Sequence, residues 1–265
     1  MSHVQQKAAD FRALHEDDAF IIPNPWDAGS AKVLEALGFK ALASTSSGFS
    51  FTLGRLDGGA SLDEVLEHVR VLDRSTSLPV SVDLENGYGP EPEAAASAIT
   101  RAAAAGAVGG SIEDYDPKGA IYGLEHSVER VAAASEAARG LGFPFMLTAR
   151  AENHIRGNPD LDDTITRLQA YERAGADVLY APGLLNGDEI RAVSDATSKP
   201  LNVLAHAGLT LSEIADAGGR RISLGGALTW VSVGAMANAA TKIRDEGDFS
   251  SLDVPAARIK EWLDN

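Results

Sequence analysis

Residues 80–113 read VSVDLENGYGPEPEAAASAITRAAAAGAVGGSIE. The stretch opens on a short β-branched run, Val80–Leu84, which breaks into acids and glycines. An alanine-rich span near 91–105 follows and stops at Gly106. A second run, Val108–Ile112, then ends in Glu113. Strand, helix, strand at this spacing is a βαβ unit, because two parallel strands need a crossover of a dozen or more residues.

Working outward, the same rhythm fills the chain. Strands are expected at Phe20–Ile22, Ala41–Ser44, Val80–Leu84, Val108–Ile112, Phe145–Ala149, Val178–Ala181, Leu201–Leu204 and Arg221–Leu224. Helices are expected near 26–37, 62–74, 91–105, 125–140, 162–174, 187–197, 210–217 and 228–245. Five of them run into a glycine before the next strand: Gly38, Gly106, Gly142, Gly175 and Gly218. Glycine is the usual residue past a helix C-terminus, where positive φ is often needed. Ser61-Leu62-Asp63-Glu64 and Thr210-Leu211-Ser212-Glu213 have the spacing of capping boxes. Eight βα units predict an α/β fold, a single (β/α)8 TIM-type barrel domain over 1–265. A leading helix in the first 19 residues and a helical extension from Gly247 complete it. An open doubly wound sheet is the competing architecture.

Composition narrows the function. The 265 residues carry 23 Lys plus Arg against 38 Asp plus Glu, a formal charge of −15. That balance argues against nucleic acid or an anionic membrane as partner, since both require a basic footprint. The chain has no cysteine, which excludes disulfides, thiolate metal sites and thiol nucleophiles. No apolar run approaches the roughly 18 residues of a membrane span. The start, Met1-Ser2-His3-Val4-Gln5-Gln6-Lys7, has no secretory pattern, so a cytoplasmic location is expected.

In such barrels the chemistry sits where the strands end. Asp83 and Glu85 follow one strand, two apart on an extended chain and so on one side. Glu113 and Asp114 follow the next, and Arg150, Glu152 and Asn153 the one after. Ser46-Ser47-Gly48 and Asp57 follow the second expected strand. Carboxylates crowded at neighbouring strand ends repel unless a cation lies among them. Oxygen donors without cysteine or clustered histidine suit a hard ion such as Mg2+. Of the histidines, His154 and His206 follow strands; the rest fall in expected helices or termini. Gly225-Gly226 follows the last strand, at a place where barrels often bind phosphate.

These pieces, in this order, resemble the isocitrate lyase/phosphoenolpyruvate mutase superfamily over nearly the whole chain. The matching runs are Pro23-Asn24-Pro25-Trp26-Asp27-Ala28-Gly29-Ser30-Ala31, Ser46-Ser47-Gly48, Asp57, Asp83-x-Glu85-x-Gly87-Tyr88-Gly89, Ile112-Glu113-Asp114 and Thr148-Ala149-Arg150. The resemblance implies a barrel whose eighth helix is exchanged between subunits of a homodimer or homotetramer. It implies that Asp83, Glu85 and Glu113 hold Mg2+ (Mn2+ as substitute), partly through water, with Asp57 nearby. Ser46, Ser47, Gly48, Asn153 and His206 are the expected substrate contacts, and Arg150 the clamp on a carboxylate or enolate. The implied reaction is cleavage of a C–C bond beside a small 2-oxo acid, or a 2-hydroxy acid yielding one, through a metal-stabilised enolate. The alternatives are P–C mutase or hydrolase chemistry of the phosphonopyruvate type, or a non-catalytic 2-oxo acid binder.

Two departures qualify the resemblance. The lyases carry a Lys-Lys-Cys-Gly run on a mobile loop; here the stretch reads Asp114-Tyr115-Asp116-Pro117-Lys118-Gly119-Ala120-Ile121-Tyr122-Gly123. Cysteine-acid chemistry is thereby excluded; the catalytic candidates are Arg150, Asp57 and Lys118, the last on a loop expected to close over substrate. Glu85 stands where many members have Asp, which lengthens one arm of the acid cluster.

Overall fold

The helices begin where side chains can satisfy their first free amides. Ser61 Oγ accepts from Glu64 N–H at 3.4 Å while the Glu64 carboxylate accepts from Ser61 N–H at 2.8 Å. Thr210 and Glu213 do the same at 3.3 and 2.8 Å. Both expected capping boxes are therefore formed. The computed structural model describes residues 2–263. Its strands are β1 (Phe20–Ile22), β2 (Leu42–Ala43), β3 (Val80–Asp83), β4 (Gly109–Glu113), β5 (Tyr115–Asp116), β6 (Ala120–Ile121), β7 (Met146–Arg150), β8 (Val178–Tyr180), β9 (Leu201–Leu204) and β10 (Gly219–Ser223). Its helices are α1 (His3–Leu14), α2 (Ala28–Ala36), α3 (Ser46–Thr52), α4 (Leu62–Ser75), α5 (Pro92–Ala104), α6 (Leu124–Arg139), α7 (Leu161–Arg173), α8 (Gly187–Ala196), α9 (Leu211–Asp216), α10 (Ala227–Glu246) and α11 (Ala256–Leu263).

Eight parallel strands form one sheet in the order β1-β10-β9-β8-β7-β4-β3-β2. The two end strands meet through Ala43 N–H donating to Pro23 O at 3.0 Å, which brings the sheet to a nearly closed barrel. Asn24 reinforces that seam. Its Nδ2 donates to Ser44 O at 3.0 Å and its Oδ1 accepts from Leu224 N–H at 2.8 Å, joining β1 to both neighbours.

The outward strand positions, among them Val82, Ile112, Leu147, Leu179, Val203 and Ile222, bury against the helices in one apolar layer. Small residues such as Ala98, Ala102 and Ala134 let α5 and α6 pack closely there. The N-terminal end of the barrel is covered by α1. Phe11 is fully buried, and a Cβ at Gly109 would lie 2.7 Å from its ring, so β4 needs glycine at that point.

Three expectations are corrected. Ser46–Thr52, outside every expected helix, is a short helix, and Thr45 caps it by accepting from Gly48 N–H. The stretch around Lys118 is a hairpin: β5 and β6 pair antiparallel, with Gly119 at φ +103° in the turn. Gly142 does not take the positive φ found at Gly38, Gly106, Gly175 and Gly218. Here α6 already stops at Gly140, which keeps right-handed backbone, and the chain leaves through 141–143. Among the described residues no helix is long and apolar enough to cross a membrane.

Candidate active site

The barrel lumen holds polar side chains where such interiors are usually filled by Val, Ile and Leu. One row of paired strand positions shows why. Glu113 pairs with Arg150, Arg150 with Tyr180, Tyr180 with Asn202, and Asn202 with Arg221, across β4, β7, β8, β9 and β10. Two residues along from these, with the side chains on the same side, stand Ser111, Thr148 and Ser223. A cavity of about 200 Å³ opens above them, lined by Asp57, Ser46, Ser47, Ser81, Asp83, Ser111, Arg150, Tyr180, Asn202, Arg221, Ser223, Gly225 and Gly226 among others. A larger open depression of about 1270 Å³, bordered by Arg12, Asp177 and Lys199, lies at the strands' N-terminal end, away from these groups.

On one side of the lumen the charges are crowded. Arg150 donates through Nε to Glu152, lies 3.2 Å from Glu113 and 3.8 Å from Asp83. Glu152 has no exposed surface and also accepts from Arg156 Nε at 2.9 Å. Burial opposes charge on the Arg150 guanidinium, yet Glu113, Glu152 and Asp83 together hold its pKa well above the usual value. Burial pushes the Glu113 carboxyl up to about 8; Arg150 pulls it down, and Glu152 and Asp83 push it up again. Glu85 reaches about 7, first by burial and then through the charge of Asp83.

Glu85 also sits at φ +48° and Tyr88 at φ +61°, backbone that non-glycine residues rarely adopt. What holds this turn is Arg130, fully buried, whose guanidinium donates to the carbonyls of Asn86, Gly89 and Pro90. The Tyr88 hydroxyl donates to Glu85 at 3.1 Å. Glu85 N–H donates to the Asp83 carboxylate at 3.1 Å, and Ser111 Oγ lies 3.5 Å from it.

The acids suit a hard cation in composition, being oxygen-only and anionic. Of the three expected ligands, Asp83 lines the cavity with Asp57; Glu113 is engaged by Arg150, and Glu85 by Tyr88. Among the described residues no three acidic or imidazole side chains converge as a ready-made cage.

The remaining expected residues separate. Ser46 and Ser47 face the cavity from the first turn of α3. Gly48 lies behind them, where a Cβ would sit 2.6 Å from Thr229 Oγ1. Asn153 is fully buried and donates to Asn158 O, Asp160 O and Thr164 Oγ1, so it shapes the loop before α7. His206 Nδ1 accepts from Gly208 N–H at 3.0 Å in its own turn. Lys118 is exposed on the hairpin, away from the cavity wall. Asp114 turns outward to Arg167, Tyr171 and the Glu152 amide.

Reasoning from the sequence noted Glu152 at a strand end but gave it no role, and it missed Tyr180, Asn202 and Arg221, which line the cavity. For Asn202 and Arg221 the signal was the parity of the strands: each stands two residues from another lumen-facing position, Leu204 or Ser223.

The chain matches the phosphoenolpyruvate phosphomutase family over residues 11–244. The chain belongs to the isocitrate lyase/phosphoenolpyruvate mutase superfamily. It is 49% identical to a putative lyase/mutase from Burkholderia cenocepacia, with a TM-score of 0.96 over 99% of this chain and 97% of that one. It is 31% identical to a 2-methylisocitrate lyase of Halalkalibacterium halodurans, covering 74% of this chain and 67% of the relative. A phosphonopyruvate hydrolase solved with oxalate and Mg2+ is 25% identical, with a TM-score of 0.86 over 97% of this superfamily member and 94% of that chain. Carbon–carbon and phosphorus–carbon chemistry both occur among these superfamily relatives.

Proposed function

We propose that this superfamily member is a divalent-cation-dependent lyase that cleaves the C–C bond next to the carbonyl of a small 2-oxo acid, or of a 2-hydroxy acid yielding one. The observation that carries the reading is the cavity at the strand C-termini, where Asp57, Asp83 and Arg150 share one wall. Asp83 would hold Mg2+ directly, and Glu85 and Glu113 through water. The ion, when bound, supplies positive charge at the keto oxygen. Arg150 adds a fixed guanidinium at the same wall, already oriented by Glu152. Such preorganised charge stabilises the transition state more than the ground state as the bond breaks. Asp57 borders the cavity from a loop, and in this reading it accepts a proton at the mouth.

A panel of 2-oxo acids, malate derivatives and phosphonopyruvate, assayed with Mg2+, tests this. Pyruvate-type product from the carboxylated compounds is the expected result. Asp83→Asn should lower kcat about 10²- to 10³-fold, the scale of losing one charge-stabilising group, without unfolding the protein. Turnover of phosphonopyruvate alone would replace the reading with P–C chemistry, for which Lys118 on the hairpin is the supporting feature. Binding without any turnover would leave a non-catalytic 2-oxo acid binder.

The α10 helix supports an oligomer. Of its 20 residues only Thr229 is buried, while Trp230, Val231 and Met236 are 50%, 68% and 61% exposed. A single chain leaves that surface uncovered, as an exchanged helix would. A homodimer or homotetramer in sedimentation velocity is expected; a monomer at micromolar concentration would refute the exchange.

A further inference from the structure

The opposite side of the lumen carries a cation that no acidic side chain among the described residues neutralises. Arg221 is 5% exposed and lines the cavity. Its Nε donates to Asn202 Oδ1 at 2.8 Å and one terminal nitrogen, Nη2, to Thr148 Oγ1 at 2.9 Å. The other, Nη1, is buried without a hydrogen-bond partner. Among the described residues no carboxylate pairs with this guanidinium. In a chain of charge −15 that is a notable omission. Burial presses its pKa down to about 10, with only the Tyr180 phenol pulling the other way, and it still carries its charge at neutral pH.

A buried, unpaired cation is costly and is normally matched by a counter-charge. Here the surroundings are neutral but polar: Thr148, Asn202, Ser223 and Tyr180 offer dipoles and no charge. Arg150 cannot serve as the sole anion receptor, because three carboxylates already occupy it. We infer that Arg221 is the receptor for a second anionic group, carboxylate or phosphonate, on the substrate's oxo-acid skeleton. The planar fork of guanidinium suits both groups. The assignment rests on the cavity being the oxo-acid site, and it deepens that reading by naming the residue that receives the second anionic group.

The experiment compares ligand pairs that differ by one anionic group: lactate with malate, and pyruvate with phosphonopyruvate or oxaloacetate. Dissociation constants are measured by calorimetry on the full-length protein with Mg2+, alongside initial rates. The wild type should prefer the dianionic member by roughly 10- to 100-fold, the range of one hydrogen bond to a charged group. Arg221→Met should bring that ratio to about one, and Arg221→Lys should restore part of it. Which partner of pyruvate shows the preference separates carboxylate from phosphonate.

The same variant carries a readout independent of ligand. If Arg221 is held for an anion and not for the fold, Arg221→Met without ligand should melt at the same temperature or higher. Arg221→Gln, which can still bond Thr148 or Asn202, covers the case in which Met fails to fold. A preference that survives in the Met or Gln variant would overturn the inference, as would a large drop in melting temperature for both. A wild type that binds 2-oxo acids with no dianion preference overturns it while leaving the lyase reading intact. A wild type that binds none of these ligands overturns both.

Discussion

Arg150 and Arg221 reach into one lumen, three strands apart in a single row of paired positions, and their surroundings are opposite. Around Arg150 stand Asp83, Glu113 and Glu152, and its charge is over-matched. Around Arg221 stand an amide, two hydroxyls and a phenol. The first cluster is a self-contained electrostatic unit that holds its own geometry. The second is incomplete without something negative. The difference teaches how one barrel uses two guanidiniums: one is fixed in place by the protein's own acids, the other has only neutral partners among the described residues.

Removing each cation should break or confirm that division. Arg150→Met leaves Glu152, which has no exposed surface, beside Glu113 and Asp83 with Arg156 as its remaining guanidinium partner. Breaking a buried pair from one side costs about 3–5 kcal/mol, so urea denaturation should show a loss of that size, with activity abolished. A loss under 1 kcal/mol would mean that the acid cluster does not depend on its arginine.

The next effect is on acid stability and touches the other arginine. His15 lies buried between Phe11 and Phe20, with burial first and the Arg221 charge second lowering it from 6.5 to about 3. The unfolded chain therefore binds a proton that the folded one refuses between those values. Stability present above pH 6.5 should fall by about 1.4 kcal/mol per pH unit as pH drops through that window. A nuclear magnetic resonance titration of His15 gives the check: Arg221→Met should raise its pKa. An unchanged value would show that the two groups do not sense each other.

Tyr180 stands between the arginines, its ring 5.4 Å from the Arg150 guanidinium. Tyr180→Phe keeps the ring and removes the hydroxyl, so stability should change by about 0.5–1.5 kcal/mol, measured by denaturant melts. Dianion preference should change more than pyruvate affinity, because the hydroxyl lies within reach of Ser223, on the strand that carries Arg221. Smallest of all, Lys118→Ala should alter stability by less than about 0.5 kcal/mol, as exposed positions do. Its effect on turnover then reports catalysis alone, and unchanged kcat would remove Lys118 from the mechanism.

Much of this was legible in the sequence, and the limits were local. The eight-strand rhythm survived because outward strand residues and helix faces must both be apolar, and capping at Ser61 and Thr210 marked helix starts. The acids at 83, 85 and 113 announced themselves by following strands. Thr45–Ser47 hid a helix, since its cap depends on one hydroxyl and its body on small residues. The Lys118 hairpin was hidden because two-residue strands carry no periodicity. Arg221 was missed for a different reason: two consecutive arginines in Gly219-Arg220-Arg221-Ile222-Ser223 look like a solvated edge until the neighbouring strands fix which one turns inward. Asn153 and Gly48 were noticed, but what they touch is set by residues far along the chain, Thr164 and Thr229.

The plug made by Phe11 has a kinetic meaning. With α1 across its lower end, the cavity among the described residues opens at the rim of the strands. If the substrate enters with one anionic group reaching Arg221, cleavage leaves a deep fragment and a shallow one. The shallow fragment should depart first, because α1 and the buried Phe11 cover the lower end. Product release is then ordered, and the deep, anionic fragment should compete with substrate for the empty enzyme, while the shallow one inhibits noncompetitively.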